Sequence, residues 1–177
     1  MTQRSSPTVR EKIGSISLGC SFVAGSIRVP RPAAGITALR LEASDMVVLR
    51  FLARAIVREE FPIYGEGLQT RSFCYVSDTV RGILSLLTNP EAAGETVNIG
   101  NSREMTILEL ARLVKKVVRS SSPLAFYPLP KDDPTRRCPD IKKASTLLGW
   151  KPQVMIEEGL RKTLKWLIDT KKSSDRS

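Results

Sequence analysis

Histidine is absent from the sequence. That absence removes every Ser-His and Cys-His nucleophile arrangement and leaves Asp, Glu, Lys, Tyr and Cys for acid-base work. Cysteine is scarce: Cys20, Cys74 and Cys138 stand far apart with no Cys-x-x-Cys spacing. With no imidazole beside them they offer neither a zinc site nor a disulfide framework, and no metal is expected. A reducing compartment fits this usage, and the cytoplasm is the expected location. No run approaches the roughly 20 uninterrupted apolar residues of a membrane helix, because Arg50, Arg54 and Arg58 punctuate the most apolar early stretch. No membrane partner is expected. The chain is also short, since 177 residues hold one domain and its core but not a two-lobed enzyme. Acidic residues are outnumbered, 18 against 28 Lys and Arg, so a net charge of +10 attracts polyanions. Nucleic acid, an acidic lipid face and a small-molecule diphosphate all qualify on charge. The basic residues are spread through helices rather than gathered with aromatics on one strand face, which argues against a nucleic-acid partner.

Residues 1–44 read as a basic, poorly patterned leader. Arg4, Arg10, Lys12, Arg28, Arg31 and Arg40 meet only Glu11 and Glu42, among many Ser, Gly and Pro. The stretch 16–29 is broken by Gly19 and Gly25 and lacks the regions of a secretory signal, although the composition has something of a transit peptide. From Asp45 the patterning becomes orderly. Val47, Val48, Phe51, Leu52, Ala55 and Ile56 recur at helical spacing, and the helix stops before Pro62. Extended segments at 61–64 and 71–76 flank a Gly65-Glu66-Gly67 turn. Ser77 and Asp78 are expected to cap a helix that buries one stripe of Val80, Ile83, Leu84 and Leu87. A short strand follows at 95–100, and Thr106 with Glu109 forms a capping box ahead of Ile107, Leu110, Leu113, Val114 and Val117. A strand is expected at 124–127. The stretch 128–139 reads as an irregular loop, because Pro128, Pro130, Pro134 and Pro139 oppose regular pairing. Asp140 caps a helix that Gly149 closes, and Ile156, Leu160, Leu164, Leu167 and Ile168 form a last amphipathic helix before a solvated tail at 171–177. Trp150 and Pro152 are expected to pin the last two helices. Strand and helix alternate, so the class is α/β.

Three segments go beyond periodicity: the run from Pro62 through Gly65-Glu-Gly-Leu-Gln-Thr-Arg-Ser-Phe73 to Asp78; Val97-Asn-Ile-Gly-Asn101 followed by Thr106-Ile-Leu-Glu-Leu110; and Asp132-Asp-Pro-Thr-Arg-Arg-Cys-Pro-Asp140 with Leu147-Leu-Gly-Trp-Lys-Pro152. Together they resemble the substrate lobe of extended short-chain dehydrogenase/reductases that act on nucleotide sugars. They are most similar to UDP-glucuronate decarboxylases, which use NAD to make UDP-xylose and carbon dioxide. UDP-glucose 4-epimerases and dTDP-glucose dehydratases are neighbouring alternatives.

The resemblance implies a fold and a ligand. Residues 45–170 would form the C-terminal, nucleotide-sugar-binding lobe of a Rossmann-type epimerase/dehydratase, binding a UDP-sugar. Arg71 and Arg137 would hold the diphosphate or ribose side, because a planar guanidinium matches phosphate oxygens bidentately. Asn98 would donate to a phosphate, and Tyr64, Gly65 and Gln69 would wrap the nucleoside. Arg136 is the lesser candidate of its pair, and Phe73 and Tyr75 are expected in the core. Relatives carry an Asn where this chain has Arg50. The family's NAD site needs a Gly-x-x-Gly-x-x-Gly turn on a helix N-terminus, and no such spacing occurs here. Its Tyr-x-x-x-Lys pair is matched only by Tyr127 and Lys131, which Pro128 and Pro130 keep off a helix. The cofactor lobe is thus expected to be absent, with no catalytic residue in this chain, no NAD bound by it alone, and a cofactor lobe conceivably supplied in trans. Relatives pair through helices of that other lobe, so this sequence gives a homodimer no evident basis. An isolated lobe would leave sheet edge and helix faces bare, which predicts marginal stability. A basic anion- or nucleic-acid-binding module and a nonfunctional relic are the rival readings.

Overall fold

The computed structural model describes residues 46–131 and 133–174 and, ahead of them, two short strands, β1 (Ile16–Ser17) and β2 (Ser21–Phe22). The rest of the expected leader lies outside the described residues. The order continues α1 (Val47–Val57), β3 (Phe61–Tyr64), β4 (Thr70–Cys74), α2 (Val76–Thr88), β5 (Val97–Asn98), β6 (Glu104–Thr106), α3 (Ile107–Val118), β7 (Leu124–Tyr127), β8 (Arg136–Arg137), α4 (Lys142–Leu148) and α5 (Ile156–Ser174). The last helix therefore runs on through Ser174, into the stretch expected to be tail. Strand β4 is the hub: β2 and β8 pair with it in parallel and β6 antiparallel. Strands β3 and β7 form a separate parallel pair, as do β1 and β5.

The main core lies between this hub and helices α1, α3 and α5. Apolar spacing on α1 turns Val48, Phe51, Leu52 and Ala55 inward, and Phe51 stacks on Phe61 with ring centroids 5.1 Å apart. Helix α3 buries Ile107, Leu110, Ala111 and Val114. Each large side chain so buried contributes about 1.5–3 kcal/mol. The start of α3 is held by the expected capping box, in which Thr106 accepts from the Glu109 N–H and Glu109 accepts from the Thr106 N–H. A second, smaller core gathers Cys74, Val97, Ile99, Ala144 and Trp150.

Several expectations are corrected here. Helix α2 already starts at Val76, with Tyr75 at its N-cap, so neither Ser77 nor Asp78 caps it. The Asp78 carboxylate instead accepts the Gln153 and Val154 N–H groups at 2.9 and 2.8 Å and pairs with Arg81 at 2.7 Å. Burial pushes the Asp78 carboxyl up, but the Val154 N–H, the Arg81 side chain and the Gln153 N–H together hold it below its ordinary value. The stripe Val80, Leu84 and Leu87 is exposed rather than buried. The face α2 turns inward carries Asp78, Thr79 and Gly82, because Ile99 and Trp150 pack so tightly on Gly82 that an added Cβ would stand 2.7 Å from Ile99 Cγ2. Trp150 accordingly ties the end of α4 to α2, donating its indole N–H to the Asp78 carbonyl, rather than joining the last two helices. The stretch 128–139 is not wholly irregular: between Pro134 and Pro139 the chain is free to pair, and Arg136–Arg137 forms β8. No described helix is long and apolar enough to cross a membrane.

Candidate functional site

A hollow of about 550 Å3 opens between the start of α1, the end of β3 with the turn into β4, and the loop after β7. Its size falls within the range of small-molecule sites. Tyr64, Gln69, Arg71 and Arg137 line it, as do Arg50, Lys131 and Asp133. Local structure explains how these groups meet. Gly65 and Gly67 adopt positive φ values, 59° and 71°, which fold the chain sharply from β3 into β4. At Gly67 a side chain would also strike Ile63 Cγ2 at 2.7 Å. The Gln69 amide closes the turn by donating to the Tyr64 carbonyl at 3.1 Å. Gly65 is not among the residues lining the hollow; it packs against Leu129, and its N–H donates to the Tyr127 carbonyl.

Strand alternation then sorts the arginines. β4 and β8 run parallel with Arg71 opposite Arg137 and Thr70 opposite Arg136, so successive pairs face opposite sides. Arg71 and Arg137 face the hollow. Thr70 and Arg136 face Glu104, which accepts from Thr70 at 2.8 Å and from Arg136 at 2.5 Å. Those two donors hold the Glu104 carboxyl down at about 2, the Arg136 hydrogen bond first.

Arg71 is almost buried, with 8% of its side chain exposed, and its charge is already answered: it donates to Asp133 at 2.5 Å and to the Thr70 carbonyl at 2.8 Å. Asp133 anchors the proline-bearing loop over the hollow, a role not assigned to it from sequence. The Asp-Asp-Pro run carried the signal, but nothing local says that a carboxylate 62 positions away will meet Arg71. Lys131 lines the hollow and shares no helix with Tyr127, its partner by spacing; the Tyr127 hydroxyl donates to Glu60, and that bond raises its pKa.

Asn98 stands apart from this group. It ends β5, beside the second core, and its amide donates to the Asp140 carbonyl at 3.1 Å, tying β5 to the start of α4. Asn98, expected to donate to a phosphate, is thus not among the residues that line the hollow. Phe73 is buried as expected, and Tyr75 packs beside the main core.

A model of the GDP-mannose 4,6-dehydratase family matches residues 39–163. The chain belongs to that family. Within it the likeness is to the UDP-glucuronate decarboxylase-like branch of the extended short-chain dehydrogenase/reductases. UDP-glucuronic acid decarboxylase 1 of Danio rerio is 49% identical over 128 residues, which are 72% of this chain and 30% of that protein. UDP-glucuronic acid decarboxylase 1 of Arabidopsis thaliana is 45% identical over 114 residues, 64% of this chain and 26% of its own length. The chain thus spans about 30% of the length of the first of these curated relatives. Among solved structures, the UDP-glucuronic acid 4-epimerase of Bacillus cereus, in complex with UDP-glucuronic acid and NAD, superimposes with a TM-score of 0.64 at 31% identity, over 70% of this chain and 40% of the epimerase. The UDP-glucose 4-epimerase of Thermotoga maritima, with UDP-glucose, gives a TM-score of 0.66 at 34% identity, over 70% and 40%. The α/β fold described above is therefore that of the C-terminal part of family members.

The Bacillus cereus epimerase structure holds NAD, and one described feature bears on that cofactor. The glycine turn at 65–67 runs from one strand into another, so its backbone leads to no helix N-terminus on which a dinucleotide pyrophosphate could rest.

Proposed function

We propose that the lobe at 45–170 binds a UDP-sugar in the hollow beside Arg71 and Arg137. In this reading the paired guanidinium groups take the diphosphate, and Tyr64, Gly65 and Gln69 border the nucleoside. Support comes above all from one observation: Tyr64, Gln69 and Arg71 of one sequence motif and Arg137 of another line the same cavity. The curated decarboxylase relatives favour UDP-glucuronate over other nucleotide sugars as the ligand. The nicotinamide chemistry of decarboxylation, and the tyrosine and lysine that go with it, would have to come from a cofactor lobe this sequence does not contain, supplied in trans or as part of a longer polypeptide.

Titration calorimetry with UDP and UDP-glucuronate tests the reading, and binding with a dissociation constant below 1 mM, worth at least about 4 kcal/mol, is the expected result. No heat at millimolar ligand would refute it. Incubated with NAD and UDP-glucuronate, this chain should make no UDP-xylose; turnover would show that the assignment of the chemistry to another lobe is wrong.

A further inference from the structure

We propose that a second hollow, separate from the one beside Arg71 and Arg137, binds a small aryl carboxylate: one apolar ring that carries a single negative group. It encloses about 290 Å3 and shares no lining residue with the first. Phe73, Met105, Val154, Met155 and Ile156 give it apolar walls, and Arg103 is the cation among its lining residues. A cavity of about 150 Å3 lined by Leu, Ile and Phe is enough to hold benzene, so there is room here for one ring and a short polar arm. Nothing in this depends on the uridine diphosphate reading of the first hollow.

Two sets of hydrogen bonds hold the walls in place. The Asn101 amide donates to the Phe73 carbonyl at 3.0 Å and its side-chain oxygen accepts the Arg103 N–H at 3.0 Å, which pins residues 101–103 to β4. The second wall is fixed from α2, because the buried Asp78 carboxylate takes the Gln153 and Val154 N–H groups. A largely pre-formed apolar cavity with a few polar groups is the usual form of a small-molecule site. Phe73 is 4% exposed and Met155 56%, so Phe73 lies deep and Met155 stands toward solvent. Thioethers make favourable contacts with aromatic rings and flex to fit them, so Met105 and Met155 favour an aryl guest over an aliphatic one. Charge decides the sign of its polar group. Glu104 also lines the hollow, but Arg136 and Thr70 already answer its carboxylate. Arg103 pairs with no carboxylate among the described residues, and its guanidinium donates to the Met155 sulfur at 3.8 Å. Sulfur is a weak acceptor, and a carboxylate entering beside Met155 would replace that contact with a charge-assisted one.

The full chain, isotope-labelled in its methionine methyl groups and titrated at neutral pH with phenylacetate and with its neutral amide, tests this by NMR. The Met105 and Met155 signals should shift with phenylacetate, with a dissociation constant below about 1 mM. Met46, which lines neither hollow, should not respond. The amide should bind about tenfold more weakly, the effect of losing one charge-assisted contact. Arg103→Gln, at an exposed position and first checked for a cooperative melt, should bring acid and amide to equal affinity. Arg103→Lys should keep part of the preference, because the charge survives without the fork. Saturating UDP should leave the phenylacetate titration unchanged. Met105 and Met155 signals that stay still at about 10 mM phenylacetate, or that move no more than Met46, overturn the proposal, as does displacement of phenylacetate by UDP. Equal binding of acid and amide by wild type, or a preference undiminished in Arg103→Gln, overturns the assignment of the negative group to Arg103.

Discussion

Replacing Asp78 with alanine should destabilise the fold far more than its place on α2 suggests. The carboxylate is 2% exposed and accepts two backbone N–H groups, from Gln153 and Val154, while pairing with Arg81. Alanine removes all three contacts at once. A buried N–H left without a partner costs about 1–3 kcal/mol. Gln153 is exposed and Val154 half-buried, so water can reach these groups after relaxation, and the lower part of that range applies to each. The Arg81 pair adds little, because 38% of that side chain meets solvent. The expected loss is therefore about 2–4 kcal/mol, or roughly 5–15 °C in Tm at 2–4 °C per kcal/mol for a chain of this size. Asp78→Asn keeps one acceptor oxygen and should lose about half as much. Urea and thermal melts followed by circular dichroism at pH 7 measure both. A fall of under 2 °C for the alanine variant would show that the Asp78 contacts do not hold the 152–155 segment to α2.

Glu104 supplies a pH test. Its folded pKa, about 2, lies below its ordinary 4.5, so the stability it contributes is fully present above pH 4.5 and is lost as pH falls from there toward 2. Glu104→Gln should melt below wild type at pH 6, and the gap should narrow as pH falls from 4.5 toward 2; a constant gap would contradict the assignment. Gly67→Ala should destabilise by about 1–3 kcal/mol in a urea titration, since an alanine at φ 71° is strained and its Cβ meets Ile63 at 2.7 Å. Arg137→Ala should weaken UDP binding about tenfold in calorimetry, whereas Arg136→Ala, which faces Glu104 across the sheet, should change it less than about twofold. Asp133→Asn should lower the melting temperature without ligand and enlarge the shift that UDP produces, because Arg71 then lacks its carboxylate and awaits a phosphate. Equal shifts in variant and wild type would refute that exchange.

Local chemistry made much of the architecture legible. The Thr106–Glu109 capping box, the left-handed Gly149 that ends α4 and the apolar spacing of α1 and α3 each carry their instruction within a turn or two of chain. Strands of two or three residues, such as β6 and β8, have too few positions to show alternation, and only pairing with β4 defines them. On α2 the spacing of Val80, Leu84 and Leu87 correctly signalled a helix but assigned the wrong side to the interior. That choice depends on Gly82 meeting Trp150, a contact between distant parts of the chain. The site divides in the same way. Arg71 and Arg137 stood out by motif, and strand register brings them together. Asn98 shared the motif logic, yet β5 carries it to the α4 side. The contact of Asp133 with Arg71 joins positions 62 apart, so no local segment spells it out.

The pairing of Arg71 with Asp133 also determines what an empty hollow is. With the Asp133 carboxylate seated on the Arg71 guanidinium, a phosphate bound there as proposed would have to win an exchange of one anion for another. Small inorganic anions, with no base or ribose to repay the displacement, should compete poorly, so the lobe would remain open to nucleotides in a phosphate-rich medium.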